Sequence, residues 1–537
     1  MTAAPPVRWQ DRPAQPGRVG WLWGLGAAVV SGVLWVLAAQ PWTLWPLGWI
    51  AAVPAAWALD RAPTRRRAGV LGGVVALVFT VGGFHWMTYL LRVNAHLPTP
   101  VAWLGLIILG AYHGVVFLIG ARLTRALRDR RRDHARGPWP MALCLPLGFV
   151  VVEVAIWTPF PFSLALGQAG VAPLRHLAAA ASTVGITALM TGFAGAIYDA
   201  ATRTERRWHP AAGVAAFAAV LALGSIRLDT DGAARQVTIG VVQPNRRVDV
   251  RYSSRQLAAH LAQLRQASRQ LEDAGADVVV WSEVAYPFDV PRDLTADVEP
   301  RHPLSIRGTT TGPLLIGAVT TDDRRHWNSA ILVAPDGRFL GRADKIHRMI
   351  GSEYNPLVEW FPSLAAYMPD GGAGGYARGA GPTILSVDVD GQPVRLAVMV
   401  CLEDVVPSHG RELAALHPDV LVNLTDDTWF DLDAEPYQHE ALARFRAVEV
   451  GVPLVRAVNT GPSSVIDRDG GFLARVGTAR DAPPRTTLAT VTIGRRARSL
   501  YAFAGGVITW GAALGALAWW LGPWLAALPA RVRRRRT

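Results

Sequence analysis

The sequence predicts a multi-span α-helical membrane domain of about eight spans, carrying an inserted extracytoplasmic α/β domain built on two sheets. Three observations predict it. Apolar runs of about 20 residues, the length a helix needs to cross roughly 30 Å of hydrocarbon, recur through the first 226 residues and once near the end. Arginines gather in the short segments between those runs. The long block 227–500 instead carries 30 Arg or Lys against 34 Asp or Glu and alternates strand and helix patterns. The 537 residues are 51% hydrophobic and 18% charged, with 21 Trp and a net charge of +13. That length exceeds one compact domain, and so few charges exclude a disordered chain.

The runs lie near 19–39, 42–59, 69–91, 101–121, 138–159, 176–201, 210–226 and 500–526. They divide the chain into a membrane domain of about seven spans (1–226), an external domain (227–499), and a closing transmembrane helix with a basic tail (500–537). The first two runs are separated by a short turn at Pro41 and read as a hairpin. The first could be a cleaved signal peptide, but seven further runs follow it, which favours retention. Positive charge sits at 1–18 (+2), 60–68 (+3), 122–137 (+5), 202–208 (+2) and 531–537 (+5), and the loops after runs one, three and five have almost none. The positive-inside rule then places both termini in the cytoplasm and residues 227–499 outside a cytoplasmic (inner) membrane. The high pI near 10.5 belongs to loops rather than to a basic groove, which removes the support for nucleic-acid binding.

In the external domain, Val237–Val242 reads as a strand and 253–276 as a helix with Leu257, Leu261, Leu264 and Leu271 on one face. Val278–Trp281 is a continuous apolar strand of the kind buried under helices. Asp336–Gly337 and Asp390–Gly391 mark hairpin turns. Leu396–Val400, Val420–Asn423, Pro453–Asn459, Ser463–Asp467 and Thr486–Ile493 are further strands, and 435–450 is a helix. Glu283, Lys345 and Cys401 each follow a predicted strand, where open α/β sheets bind ligands. Alone, Glu283 reads equally as a solvated carboxylate and Lys345 as a surface charge. Yet Lys345 is the single lysine among 54 cations, and lysine tolerates pKa shifts that a guanidinium does not. Cys401 is the one external cysteine, Cys144 falling inside the fifth run, so a structural disulfide between them is not expected. A thiol needs a base, which Glu283 supplies, with His347 a lesser alternative, and a nascent oxyanion needs a fixed cation, which Lys345 supplies. None of the 13 His falls in a metal or triad spacing, and no cofactor motif is present.

The order Glu…Lys…Cys resembles the carbon–nitrogen hydrolase (nitrilase) superfamily. Within it, the eight-span frame resembles the bacterial apolipoprotein N-acyltransferase family. The matching pieces are Trp281–Glu283, Lys345–Pro356, Val400–Glu403, Asn423–Phe430 and Ala443–Gly461, with Trp45–Trp49, Gly83–Trp86 and 160–162 in the membrane part. The chain differs from the family's usual pattern at Ser282 before the glutamate, at Met349–Tyr354 including Ile350, at Leu402 after the cysteine, and at Tyr252 where Trp is common. None removes a triad group.

The resemblance implies an α-β-β-α sandwich and a two-step acyl transfer. Cys401 would take an acyl chain from a membrane phospholipid as a thioester, and the N-terminal amine of a diacylglyceryl-cysteine apolipoprotein would then receive it. Glu283 would act as base and acid, Lys345 would stabilise the oxyanion, and Glu353 and Glu403 would match supporting carboxylates of the family. Trp360, Phe361, Trp429 and Phe430 would form lids or lipid-facing arms, with ordinary core packing the competing reading for Trp429 and Phe430. The glycine-rich stretch 371–381 would let such an arm move. A membrane-anchored amidohydrolase with the same triad is the alternative, and an inactive scaffold or transporter a more distant one. Glu153, inside the fifth run, must face protein or water.

Overall fold

The computed structural model describes residues 20–129, 138–155, 162–202, 208–226, 233–247, 252–367, 375–430, 433–494, 499–507, 510–511 and 514–515. Among them, four helices are long and apolar enough to cross a membrane: Trp21–Ala38, Arg65–Gly83, Thr99–Asp129 and Ala178–Thr202. The run 42–59 is helical only from Leu47: Leu47–Ile50 and Ala52–Arg61 join through Ala51, whose φ −57° and ψ −33° are themselves helical. The third run stops at Gly83, after which the chain passes through a π-turn at Leu90–Asn94, whereas the fourth extends to Asp129, beyond its predicted end. The sixth is kinked at Ala181 and Ser182, the latter at φ +58°. Runs five and seven are the shorter apolar helices Met141–Val154 and Ala211–Gly224, and most of run eight, the basic tail, and Phe160 and Pro161 lie outside the described residues.

Close helix packing uses small residues. A side chain at Gly72 would meet the Ala121 Cβ at 2.5 Å and the Phe117 carbonyl at 2.6 Å, so helices Arg65–Gly83 and Thr99–Asp129 approach backbone to backbone. Outward-facing Leu104, Ile108 and Val115 leave this bundle with an apolar exterior suited to lipid. One end of the bundle is tied by charge. Arg128 Nη2 donates to Asp60 Oδ2 at 2.8 Å, the Tyr198 hydroxyl donates to the same oxygen at 2.7 Å, and Arg65 pairs with Asp129 at 3.4 Å. Glu153 accepts from Ser163 Oγ, the Leu164 N–H and Thr187 Oγ1, so it faces protein and anchors the segment after its helix.

Among the described residues, the α/β domain has thirteen strands in two sheets. The first contains β1 (Arg235–Gln243), β2 (Val278–Trp281), β3 (Val290–Pro291), β4 (Leu314–Thr321), β5 (His326–Val333), β6 (Phe339–Asp344) and β13 (Arg485–Ile493), in the order β13-β1-β2-β4-β5-β6 with β3 beside β4. The second contains β7 (Ile384–Val389), β8 (Gln392–Val400), β9 (Val420–Thr425), β10 (Leu454–Val458), β11 (Ser463–Ile466) and β12 (Phe472–Val476), in the order β12-β11-β10-β9-β8-β7. Strands β1, β2 and β4 are parallel neighbours, as are β8, β9 and β10. Alternation assigns the layers. Val278 and Val280 join Val398, Val400 and Val422 in the core between the sheets, whereas Val279 and Trp281 pack outward on Leu264 and Leu271 of the helix Ser254–Asp273. The opposite outer face carries Met399 and Leu421 against Leu413, Ala443 and Ala447. This is an α-β-β-α sandwich.

The helix Glu435–Val450 explains how the two parts join. It is buried on nearly every side, because one face covers the second sheet and the other joins the core of the membrane bundle through Ala441, Leu442, Phe445 and Val448. Two of its buried polar residues tie it to the bundle. Gln438 donates to the carbonyls of Gly83 (2.8 Å) and Gln40 (3.0 Å) and accepts from Trp86 Nε1, and Ser182 Oγ donates to Glu449 at 2.6 Å. The sandwich thus docks on the bundle end that holds Gln40, Gly83 and Arg175, opposite the end tied by Asp60 and Arg128.

Candidate active site

Strand ends carry the reactive groups. Glu283 follows β2, Lys345 follows β6 and Cys401 follows β8, so the sandwich presents all three at one edge of its two sheets. Lys345 Nζ lies 3.4 Å from Glu283 Oε1 and 2.7 Å from Glu353 Oε1. Asn328, on β5, donates from Nδ2 to Glu283 Oε1 at 2.5 Å and sits 3.3 Å from Glu353. Glu353 is fixed in turn by the Met349 N–H at 2.7 Å. Lys345 is 2% exposed and Cys401 4%, so their charges act through little solvent.

Two tight turns aim these groups. Cys401 has φ +57° and opens a 3-10 turn, Cys401–Val405, and Val284, next to Glu283, has φ +47°. Positive φ at a non-glycine residue costs about 1–3 kcal/mol and persists where the surroundings enforce it. Glu403 supplies much of that enforcement. Its Oε1 accepts the N–H groups of Ile346 and His347 at 2.6 and 2.9 Å, and its Oε2 accepts that of Val400 at 2.7 Å, stitching the Lys345 segment to the cysteine turn. Gly317 on β4 leaves room for the glutamate turn, since a Cβ there would stand 2.2 Å from the Ser282 carbonyl oxygen.

The electrostatics separate the roles. Burial pushes the Glu283 carboxyl up to about 7, with Lys345 opposing and Glu353 and Asp426 adding to the rise. Burial, reinforced by Glu283, raises the Cys401 thiol well above its usual value, so it rests protonated. Burial works against the Lys345 ammonium, but its coupling to Cys401, whose thiolate it would stabilise, and to the Glu283 and Glu353 carboxylates outweighs burial, and Lys345 titrates well above its usual value. The arrangement is a protonated thiol, a carboxyl group that titrates at about 7, and a buried cation.

The N-terminal half matches the family described as Apolipoprotein N-acyltransferase N-terminal domain over residues 31–196, and residues 238–497 match the Carbon-nitrogen hydrolase family. Apolipoprotein N-acyltransferase of Rhodopseudomonas palustris is 30% identical over 491 residues, covering 85% of this chain and 88% of that protein. The protein of the same name from Geobacter metallireducens is 30% identical over 462 residues, covering 82% and 85%. This chain belongs to the apolipoprotein N-acyltransferase family. An amidase from Nesterenkonia sp. AN1, solved with acrylamide, is 19% identical over 48% of this chain and 90% of that one, with a TM-score of 0.35.

Against the sequence expectations for a member of the apolipoprotein N-acyltransferase family, the structure brings Glu283, Lys345, Cys401, Glu353 and Glu403 together. Trp360 and Phe361 are 71% and 58% exposed. Phe430 is not part of an arm. It is 1% exposed and packs edge-on against Trp86 of the membrane bundle at 5.0 Å, and the half-buried Trp429 packs on the same core. Tyr252 lies 5.8 Å beneath the guanidinium of Arg246, which reaches the Val284 carbonyl behind the glutamate. The glycine-rich stretch is pinned where it is described: Tyr376, Ala377 and Gly379 donate to the carbonyls of Glu353, His326 and Lys345, while 371–374 lie outside the described residues. Both cysteines are buried, and no disulfide joins them.

Sequence reasoning missed Asn328 and the support behind Cys401. Asn328 sits inside an apolar strand, where a buried amide signals a specific partner. His439 bonds Asp404 at 2.7 Å and Asp427 at 3.2 Å, and Arg456 meets Asp404 at 3.1 Å. Burial alone would lower the His439 pKa, but the two aspartates push it up to about 10, so a charged imidazolium clamps the turn that carries Cys401. Those partners lie on separate elements, and no local spacing announces them.

Proposed function

We propose that this chain transfers an acyl chain from a membrane phospholipid, through a thioester on Cys401, to the N-terminal amine of a diacylglyceryl apolipoprotein. The observation that carries this reading is the wall shared by the nucleophile and the membrane bundle. Leu402, next to Cys401, lines a small cavity together with Phe84, Trp86 and Phe162 of the bundle and Leu442, Gln438 and His439 of the docking helix. A soluble amide needs no such surface, whereas an aliphatic chain entering from a bilayer does. Family membership favours acyl transfer over the amidohydrolase reading in the same direction.

In the first half-reaction the Glu283 carboxylate takes the Sγ proton as sulfur attacks the ester carbonyl, and the Lys345 ammonium faces the oxyanion that forms. Breaking of the carbon–oxygen bond releases the lysophospholipid, whose oxygen receives the proton from Glu283. In the second, the α-amine attacks the thioester, Glu283 accepts a proton from nitrogen, and as the carbon–sulfur bond breaks Glu283 gives that proton to sulfur, returning the thiol. Glu353 and Asn328 position Lys345 and Glu283, and Glu403 holds the two turns in register. Trp360 and Phe361 belong to an arm at the lipid surface.

This reading includes an eight-span chain in the cytoplasmic membrane, with both termini inside, membrane helices over 1–226 and 500–537, and the catalytic domain 227–499 on the extracytoplasmic side. Its support is that Arg61, Arg65 and Arg128 gather at the bundle end opposite the sandwich, which the positive-inside rule assigns to the cytoplasm.

The test is a purified full-length enzyme in detergent supplied with a labelled phospholipid and a diacylglyceryl-cysteine peptide. Acylated peptide and lysophospholipid in equal amounts are expected, whereas free fatty acid without acylated peptide would establish the hydrolase instead. A pH prediction follows from Glu283. Its base form is populated above about pH 7, so the rate of Cys401 acylation should rise through an acid limb centred near 7 and level off above it. A limb centred near the usual carboxylate value, around 4.5, would remove Glu283 as the base.

A further inference from the structure

Beside the triad, three side chains that the proposed reaction does not use converge on one point. His347 follows Lys345, and His409 and Glu412 lie on the helix Pro407–Ala415 that follows the cysteine turn. One ligand atom from each, a ring nitrogen from either histidine and a carboxylate oxygen, lie within 4.8 Å of one another. The two imidazoles are 5.1 Å apart at 72°, and Glu412 Oε2 is 3.6 Å from His409 Nδ1.

Buried polar atoms ordinarily have partners. His409 is fully buried, yet neither of its ring nitrogens has a hydrogen-bond partner, and Nε2 of His347 is buried and equally without one. Three unpartnered nitrogens beside a carboxylate signal a ligand. The surroundings supply what a metal-bound imidazole needs behind it. Glu403 Oε2 lies 3.8 Å from His409 Nε2, on the side away from Glu412, and a carboxylate there fixes ring orientation and tautomer.

We propose that His347, His409 and Glu412 form a site for a zinc-class divalent cation. Two imidazoles and one carboxylate are the donor set of such an ion, whereas calcium and magnesium favour oxygen alone. Ligand atoms around tetrahedral zinc stand about 3.4 Å apart, so side-chain rotations of roughly 1 Å close the site. The Glu412 side chain is 55% exposed, which gives the ion an entry path and leaves its fourth position to water. The bound ion would clasp the segment after Lys345 to the helix after Cys401, beside the bridge that Glu403 makes from the same segment to the cysteine turn. The inference does not depend on the acyl-transfer reading.

The experiment uses the full-length chain in detergent, stripped with chelator and titrated with Co²⁺ and then Zn²⁺. One equivalent of metal per chain, a visible Co²⁺ spectrum of tetrahedral type and a Zn²⁺-dependent rise in thermal midpoint are expected. His409→Leu and Glu412→Gln should each weaken binding by at least tenfold, while Cys401→Ala should bind as the wild type does. Glu412 is exposed, so Glu412→Gln decides the matter even where His409→Leu fails to fold. Unchanged binding in Glu412→Gln, no binding by the wild type, or loss of binding in Cys401→Ala would each overturn the site.

Discussion

Cys401→Ala is expected to abolish N-acylation and, with it, a hydroxylamine-sensitive acyl adduct on the wild-type protein exposed to phospholipid. The loss should be on the order of 10⁴-fold or more, because removing a covalent nucleophile removes both half-reactions. The geometry makes this a test of chemistry rather than of folding. Cys401 is 4% exposed at φ +57°, and alanine keeps the same backbone and Cβ while leaving out one sulfur. The turn itself is held by groups the substitution leaves in place: Asn423 donates to the Cys401 carbonyl at 2.8 Å, and Glu403 accepts from Val400. Intact-mass measurement of freshly purified, phospholipid-exposed enzyme reads the adduct directly. An unmodified wild-type mass under turnover conditions would rule out transfer through Cys401.

Lys345→Arg is expected to fold and to lose roughly 10²–10³-fold in turnover, the usual cost of removing one oxyanion donor. The substitution keeps the positive charge, so the buried carboxylates Glu283 and Glu353 remain compensated. What changes is shape. The ammonium is a compact donor 2.7 Å from Glu353 and 3.4 Å from Glu283 in a pocket that is 2% exposed. A planar guanidinium is larger and engages carboxylates two atoms at a time, which would draw Glu283 away from the thiol. Thermal midpoint and turnover measured on the same preparation separate the two effects. Turnover equal to wild type would remove Lys345 from oxyanion stabilisation.

Both expectations were reachable from the sequence because the triad stands at strand ends with strong local signals. The apolar strand Val278–Trp281 is found over the residues predicted, and the helix 435–450 is found as Glu435–Val450. The hairpin turns at Asp336–Gly337 and Asp390–Gly391 fall between β5 and β6 and between β7 and β8. Continuous apolar strands, and turns requiring positive φ, leave a short-range imprint that survives folding. Hydropathy was a weaker guide to helix length. The run 42–59 reads as a span, but its helical backbone begins only at Leu47, and the fourth helix spans 31 residues, with its arginine-bearing end meeting Asp60.

By itself the sequence determined the chemistry that is available: one lysine among arginines, one cysteine in the α/β domain, and an excess of positive charge gathered in the short segments between apolar runs. Only the tertiary structure decided which polar residues meet. Asn328 joins Glu283, His439 clamps the cysteine turn between two aspartates, Phe430 packs into the membrane core, and His347 faces His409. The physical reason is that these contacts join elements distant in the chain, and their energy depends on burial, which no local pattern encodes. A buried carboxylate or imidazole is defined by what the fold brings against it.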